Sequence, residues 1–213
     1  MNSGEIRLVC FDLNGTLINE NSWLNLNLAM GVSPAEDEEL LALYREGKLS
    51  YQEGLNKLLP LYKRGGKFQR DIVSRALFHY SYCEGAKDIV LYLQKKKYHV
   101  AIVSGSFDIL VEKVARELGV SLWAANNTFV FDEKGVGKAI ECLGNDDVFK
   151  REKISEMCSA LNINVQSCAC VGDSENDREI FRLTGKGIAL RGSPVDEYAW
   201  KVIKKLEELK TIL

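Results

Sequence analysis

Four short polar clusters carry most of the reactive side chains in this sequence. The first is Asp12-Leu13-Asn14-Gly15-Thr16. The second is Ser104-Gly105-Ser106, the third is Gly172-Asp173-Ser174-Glu175-Asn176-Asp177, and the fourth is Lys150 alone. Between them they hold a carboxylate able to act as a nucleophile and further carboxylates suited to a hard cation. They also offer a hydroxyl and backbone N–H groups for phosphate oxygens, and one ammonium. Phosphoryl transfer demands that inventory, because its catalysis consists of positioning, a metal ion and charge neutralisation. Each cluster has a plainer use. Asp12 or Ser104 could cap a helix, and Gly172–Asp177 could be a turn. Their joint occurrence favours a phosphate site.

The elements that must position these clusters follow from the hydrophobic pattern. Ile6–Phe11 is a short apolar run ending at Asp12, the pattern of a buried parallel strand. Tyr98–Val103 is a second strand and leads into Ser104. Ser167–Val171 is a third and leads into Gly172. Helical spacing between them covers Ala86–Lys97, Asp108–Leu118, Lys150–Leu161 and Glu175–Leu183, with a further strand at Gly187–Leu190 and a closing helix over Val195–Leu209. Leu122–Asn126 reads as a short strand, and the following residues form a hairpin turning at Glu133-Lys134-Gly135. Strands alternating with helices predict an α/β fold with a doubly wound parallel sheet, whose ligands bind at the carboxyl ends of the strands.

One stretch breaks the alternation. Ser22–Met30, Pro34–Glu46, Tyr51–Leu61 and Phe68–Tyr82 all have helical patterns, with no convincing strand among them. Ser33-Pro34 and the Ser50/Glu53 pair supply start signals. The expected organisation is a core over 1–16 and 84–213, with a helical cap, 17–83, inserted after the first strand. Trp23 belongs either to the core of that insert or to a wall over the site. His79 and His99 read as structural.

Composition narrows the function. The chain has 213 residues, is 46% hydrophobic and 27% charged, and carries a formal net charge of -2. No basic block marks a nucleic-acid surface. No apolar run reaches the length of a membrane span, and MNSGEIRLVCFD lacks the pattern of a signal peptide, so a cytoplasmic location is expected. The 6 cysteines form no CxxC pair and read as small core residues.

DLNGTL, the Ser104 run, Lys150 and GDSEND together resemble, in order, the four motifs of the haloacid dehalogenase superfamily. EGKLSYQEGL in the insert and EGAKDIVLYLQKKKYHVAIVSGSFDILVEKVARELG after it are similar to the phosphoserine phosphatases of that superfamily, and the similarity runs through nearly the whole chain. The resemblance implies a Rossmann-like core and a phosphomonoester hydrolase acting on a small phosphorylated metabolite through an aspartyl-phosphate on Asp12. It implies Mg²⁺ held by Asp12, Asp173 and the backbone carbonyl of Asn14, with Asp177 close by. Ser104, Gly105, Lys150 and Asn176 would contact the phosphate. Lys138 and Lys153 compete for the lysine role, and the spacing to Asp173 favours Lys150.

Two positions depart from the pattern. The phosphatases carry a proton-transferring Asp two residues after the nucleophile, and here that position is Asn14, whose amide keeps a backbone carbonyl but transfers no proton at neutral pH. Either this is a natural change of chemistry or it is a substitution that traps a ligand. A phosphate-binding protein without turnover and a transferase to an acceptor other than water are the alternatives it opens. The Glu and Arg that clamp the amino acid end of phosphoserine fall at Asn21 and Leu58, which argues against phosphoserine as substrate unless Arg64 or Lys57 substitutes.

Overall fold

The computed structural model describes residues 5–213. The first residues of the segment read above for a leader, 1–4, lie outside them. The chain runs β1 (Leu8–Phe11), α1 (Ser22–Met30), α2 (Pro34–Arg45), α3 (Tyr51–Lys63), α4 (Arg70–Leu77), α5 (Ala86–Lys95), β2 (His99–Phe107), α6 (Asp108–Glu117), β3 (Leu122–Phe131), β4 (Gly137–Cys142), α7 (Asp146–Ala160), β5 (Cys168–Gly172), α8 (Arg178–Thr184), β6 (Gly187–Leu190), β7 (Lys201–Ile203) and α9 (Leu209–Ile212). The strands form one seven-stranded sheet in the order β4-β3-β2-β1-β5-β6-β7. Every pairing is parallel except β3 with β4. No helix among the described residues is long and apolar enough to cross a membrane.

Strand periodicity divides the core. Val9 and Phe11 face one apolar layer with Ile102, Val171 and the helical insert. Leu8 and Cys10 face the other, with Cys168, Cys170, Phe149 and Ile154. A strand buried on both faces needs apolar residues at every position, and β1 is buried throughout. The cysteines are unpaired thiols, and Cys10, Cys158, Cys168 and Cys170 are buried, in keeping with their reading as core residues.

β1 lies between β2 and β5, so the chain leaves it toward one side of the sheet and later returns on the other. Loops diverge at such a switch point and open a crevice. The insert follows at once. Its helices start as the sequence suggested: Ser33 and Ser50 each accept from the backbone three residues on, with Glu36 and Glu53 returning the bond. α3 packs on β4 and α1 on α4. The entering and returning segments lie side by side. Ile18 bridges Tyr82 in antiparallel fashion, Cys83 N–H donates to Leu17 C=O (2.9 Å) and Asn19 N–H to Ser81 C=O (3.0 Å).

Three expectations need correction. The closing helix over Val195–Leu209 is absent. Trp200 N–H instead donates to Gly187 C=O (2.8 Å) and Arg191 N–H to Ile203 C=O (2.7 Å), so the open edge of β6 recruits Lys201–Ile203 as β7. β-branched Val202 and Ile203 favour that outcome. The segment 68–82 is helical only over Arg70–Leu77, because the backbone of Phe68 and Arg70 pairs with the hairpin at Gly135 and Gly137. The Leu122–Asn126 strand and the hairpin's first arm are one strand, β3, parallel to β2 at its start and antiparallel to β4 at its end. The hairpin turn itself stands as expected. Gly135 is left-handed (φ 77°), and Asp132 accepts from Lys134 and Val136 N–H.

Candidate active site

Asp12 is the first residue beyond β1, and its N–H donates to Val171 C=O of β5 (2.9 Å), which holds it at the crevice. The following turn is tight: Leu13 C=O accepts from the N–H groups of Thr16, Leu17 and Ile18. Gly15 makes that turn with φ 75°, and a Cβ there would lie 2.1 Å from Asp173 Oδ2. The glycine therefore lets the first loop lie directly against the third. Thr16 Oγ1 donates to Asp173 Oδ1 (2.8 Å) and ties the same two loops together.

Lys150 sits beneath them, wholly buried. Its helix starts at Asp146 rather than at Lys150, because Asp146 and Asp147 suit the positive end of a helix. Lys150 therefore lies one turn in, pointing inward. Its ammonium is 2.9 Å from Asp12 Oδ1, 2.7 Å from Asp177 Oδ1 and 2.7 Å from Asn176 Oδ1, so all three donors are used. Asp177 in turn accepts from Asp173 and Ser174 N–H through its other oxygen (3.0 and 3.1 Å). The rival lysines are elsewhere: Lys138 pairs with Asp132 and Lys153 with Glu156, both partly exposed.

Asp12, Asp173 and Asp177 each bring a carboxylate oxygen within 4.8 Å of the others. Three carboxylates against one ammonium leave two negative charges in a buried place. Burial pushes Asp12 up to about 7, with Lys150 pulling the other way, and it also raises Asp173. For Lys150, burial acts against the charged form, but Asp12 and Asp177 more than offset it and hold the ammonium protonated. An oxygen-only donor set with two uncompensated negative charges fits a hard divalent cation such as Mg²⁺.

Ser104 and Gly105 do not follow β2 but lie within it, since β2 continues to Phe107 across an irregular register with β3. Ser104 is 1% exposed and its hydroxyl accepts from Ser106 N–H (3.2 Å). Gly105 C=O accepts from Asn127 Nδ2 (2.8 Å) and from Trp23 Nε1 (3.2 Å). Trp23 is thus a wall of the site fastened to β2, its ring also packed on Phe107 at 4.4 Å. Asn14 turns its side-chain oxygen to Ser22 N–H at the start of α1 (3.3 Å). His79 and His99 are exposed and stand apart from the site.

Above Asp12 a cavity of about 870 Å³ opens between the strand ends and the insert. Asp12, Asn14, Ser104, Gly105, Asp173 and Asn176 form its floor, and Trp23, Leu24, Leu40, Leu41, Leu55 and Leu58 much of its wall. Asn21 caps α1 by accepting from Trp23 and Leu24 N–H. Arg64 does not reach this space. It forks onto Glu36 (2.8 and 3.1 Å) and bonds Gly31 C=O. Lys57 is not among the lining residues either. Sequence reading missed Asp146, which accepts from Asn126 Nδ2 (2.6 Å) and from Asn176 Nδ2 (3.5 Å) and would meet a Cβ on Gly105 at 2.4 Å. It also missed Tyr51, whose hydroxyl accepts from Asn127 (2.8 Å). Only the first-turn acid run at 146–147 could have drawn attention to Asp146.

Known proteins resemble this chain over nearly its whole length. The family model of haloacid dehalogenase-like hydrolases matches residues 6–183. A phosphoserine phosphatase of Methanocaldococcus jannaschii is 29% identical over 207 residues, covering 97% of this chain and 96% of that protein. One from Streptococcus thermophilus is 26% identical, covering 95% and 96%. A solved phosphoserine phosphatase that represents an analogue of its phospho-aspartyl intermediate has a TM-score of 0.79 at 28% identity, over 97% of this chain and 99% of the other. A substrate-bound phosphoserine phosphatase reaches 0.77 at 27%, over 97% and 98%.

Proposed function

The chain belongs to the haloacid dehalogenase-like hydrolases, and from that premise we propose that it is an Mg²⁺-assisted phosphomonoester hydrolase working through Asp12. The observation that carries the reading is the convergence of Asp12, Lys150, Asp173, Asp177, Asn176 and Ser104 on one end of three adjacent strands. Relatives across the full chain are named phosphoserine phosphatases, which supports a small phosphorylated metabolite as substrate.

In this reading a carboxylate oxygen of Asp12 attacks phosphorus as the ester oxygen leaves, giving an aspartyl-phosphate. Lys150 fixes the other Asp12 oxygen and balances negative charge at the moment of transfer. Ser104 and Gly105 hold phosphate oxygens, and Asn176 sits beside them. Asp12, Asp173 and the carbonyl of Asn14 would hold Mg²⁺, with Asp177 bracing Asp173 from behind; the ion would supply charge neutralisation at the transferred group. Residues 17–83 act as a cap that excludes water during transfer, over a core of 1–16 and 84–213. Water then attacks the acyl phosphate and releases inorganic phosphate.

Asn14 shapes the kinetics. With no acid to protonate a departing alkoxide, alkyl phosphates react slowly, while a nitrophenolate leaves unaided. A panel of phosphomonoesters with Mg²⁺, run on this protein, tests the reading. Turnover of p-nitrophenyl phosphate, with an initial burst and a phosphorylated Asp12, is expected. Failure of every ester to react or to label Asp12 would instead favour the second reading, a phosphate-binding protein that Asn14 has taken out of hydrolysis.

A further inference from the structure

The wall of the cavity differs from its floor. On the side facing α2 and α3 it is built mainly from Trp23, Leu24, Leu40, Leu41, Leu55 and Leu58, with Asp37 among them accepting from Asn27 Nδ2 (2.7 Å). Leu58 is 5% exposed, so it is packed in place and offers no polar atom. Arg45 is the one cationic side chain among the cavity-lining residues. It stands out in solvent, 66% exposed, and its nearest acid is Glu38 at 3.9 Å. A carboxylate brought into this space would find no ammonium or guanidinium oriented to receive it, and would be left unpaired when water is excluded.

One corner of the cavity has the opposite character. Tyr44 at the end of α2 and Tyr51 at the start of α3 meet edge to face, ring centroids 5.8 Å apart. Across from them α7 opens with Asp146 and Asp147, and all four residues line the cavity. The hydroxyls feel these acids. Burial and the charges of Asp146 and Asp147 raise the Tyr44 hydroxyl, and burial and Asp146 raise that of Tyr51. Asp146 is anchored by the amides of Asn126 and Asn176; burial raises its carboxyl, with Asn126 and the charge of Lys150 acting the other way, so Asp147 is the freer of the two acids. Aromatic rings beside two carboxylates, in a partly desolvated pocket, attract a positive charge by two additive routes.

Resting on the hydrolase reading above, we infer that the substrate is a phosphate ester of an apolar amino alcohol, with its ammonium at the Tyr44–Tyr51–Asp146–Asp147 corner and no carboxylate. The phosphate lies on the floor at Asp12, and the apolar body lies along the leucine wall. Asn176 touches both ends, since it accepts from Lys150 at the floor and donates to Asp146 at the corner. Floor and corner are therefore adjacent, so a short linker between phosphate and ammonium suffices.

The test compares esters of matched shape. Choline phosphate and 3,3-dimethylbutyl phosphate differ in charge and hardly in volume. Phosphoserine adds a carboxylate to an ammonium. Calorimetric titration of this protein with each, at saturating Mg²⁺, reads the discrimination without requiring turnover. Choline phosphate is expected to bind about tenfold or more tighter than its neutral isostere, the scale of a desolvated cation–π and carboxylate contact, and tighter than phosphoserine. In Asp147→Asn and in Asp146→Asn the ratio between cationic and neutral ester should fall toward one, whatever happens to the phosphate affinity common to both. Equal binding of choline phosphate and 3,3-dimethylbutyl phosphate by the unaltered protein, or tighter binding of phosphoserine, overturns the inference. Loss of p-nitrophenyl phosphate turnover with the discrimination intact would count against the hydrolase reading alone.

Discussion

Lys150 shows why a single side chain decides so much here. It is the common partner of Asp12, Asn176 and Asp177, and with zero exposure it has no water to fall back on. Removing one member of a buried ion cluster leaves the others uncompensated, which typically costs about 3–5 kcal/mol. Lys150→Met should lower the unfolding free energy by that amount and abolish hydrolysis, whereas Lys138→Met and Lys153→Met, at partly exposed pairs, should change stability by less than about 1 kcal/mol. Urea titration of the three variants checks it. Asn14 makes a different case. Its Oδ1 accepts from Ser22 N–H, a bond that a carboxylate oxygen preserves, so Asn14→Asp changes the chemistry while keeping the geometry. Alkyl phosphate hydrolysis should rise by about a hundredfold or more, the usual contribution of a general acid–base group; steady-state rates before and after the change decide it, and no gain would leave the site something other than a phosphatase lacking one part. Lys150 could be picked from its rivals in sequence only because its spacing to Asp173 matches that of the family the chain resembles. Tyr51 could not, because nothing local marks it, and Asp146 showed only as part of a first-turn acid run. They meet Gly105 and Asn127 only through packing of α7 and α3 against distant strands.

At the scale of elements, legibility followed the strength of local signals. β1, β2, β5 and β6 are dense apolar runs, and the capped helices α2 and α3 carry their own start signals, so these were visible in the sequence. β7 was not. Lys201–Ile203 is too short to show a period, and its strand state depends on the free edge of β6, a partner the sequence does not display locally. The segment returning from the helical insert is also held by tertiary contacts. Glu117 near the end of α6 accepts from Tyr80 and Tyr82 hydroxyls (2.8 and 2.7 Å) and pairs with Lys113. Burial of Glu117 opposes ionisation, but Lys113 and the two tyrosines outweigh it and hold its carboxyl down at about 2. Its folded value lies below its ordinary one, so this contribution is present in full above about pH 4.5 and fades as pH falls toward 2. Thermal midpoints of the protein and of Glu117→Gln should therefore differ at pH 7 and converge on acidification through that window. A gap that persists at pH 2 would place the stabilisation in packing instead of charge.

For the molecule as a whole, the crevice at the switch point is where folding and function oppose each other, since two uncompensated negative charges sit in a buried place. A cation bound only by the folded state relieves that and stabilises by about 2.7 kcal/mol at a hundred times its dissociation constant. Calorimetric melting should show a midpoint that climbs with Mg²⁺ in this protein and stays flat in Asp173→Asn; a climb of equal size in both would remove Asp173 from the metal site. The antiparallel ribbon at Leu17–Asn19 and Ser81–Cys83 has a consequence of another kind. Everything from Glu20 to Tyr80 departs and rejoins through two strands that touch, so its removal would leave a gap that a tight turn can span. Evolution can then trade one insert for another as a cassette, altering what is admitted to the crevice while the strand ends beneath go on performing the same reaction. What the crevice admits and what happens within it are then set by separate stretches of such a chain.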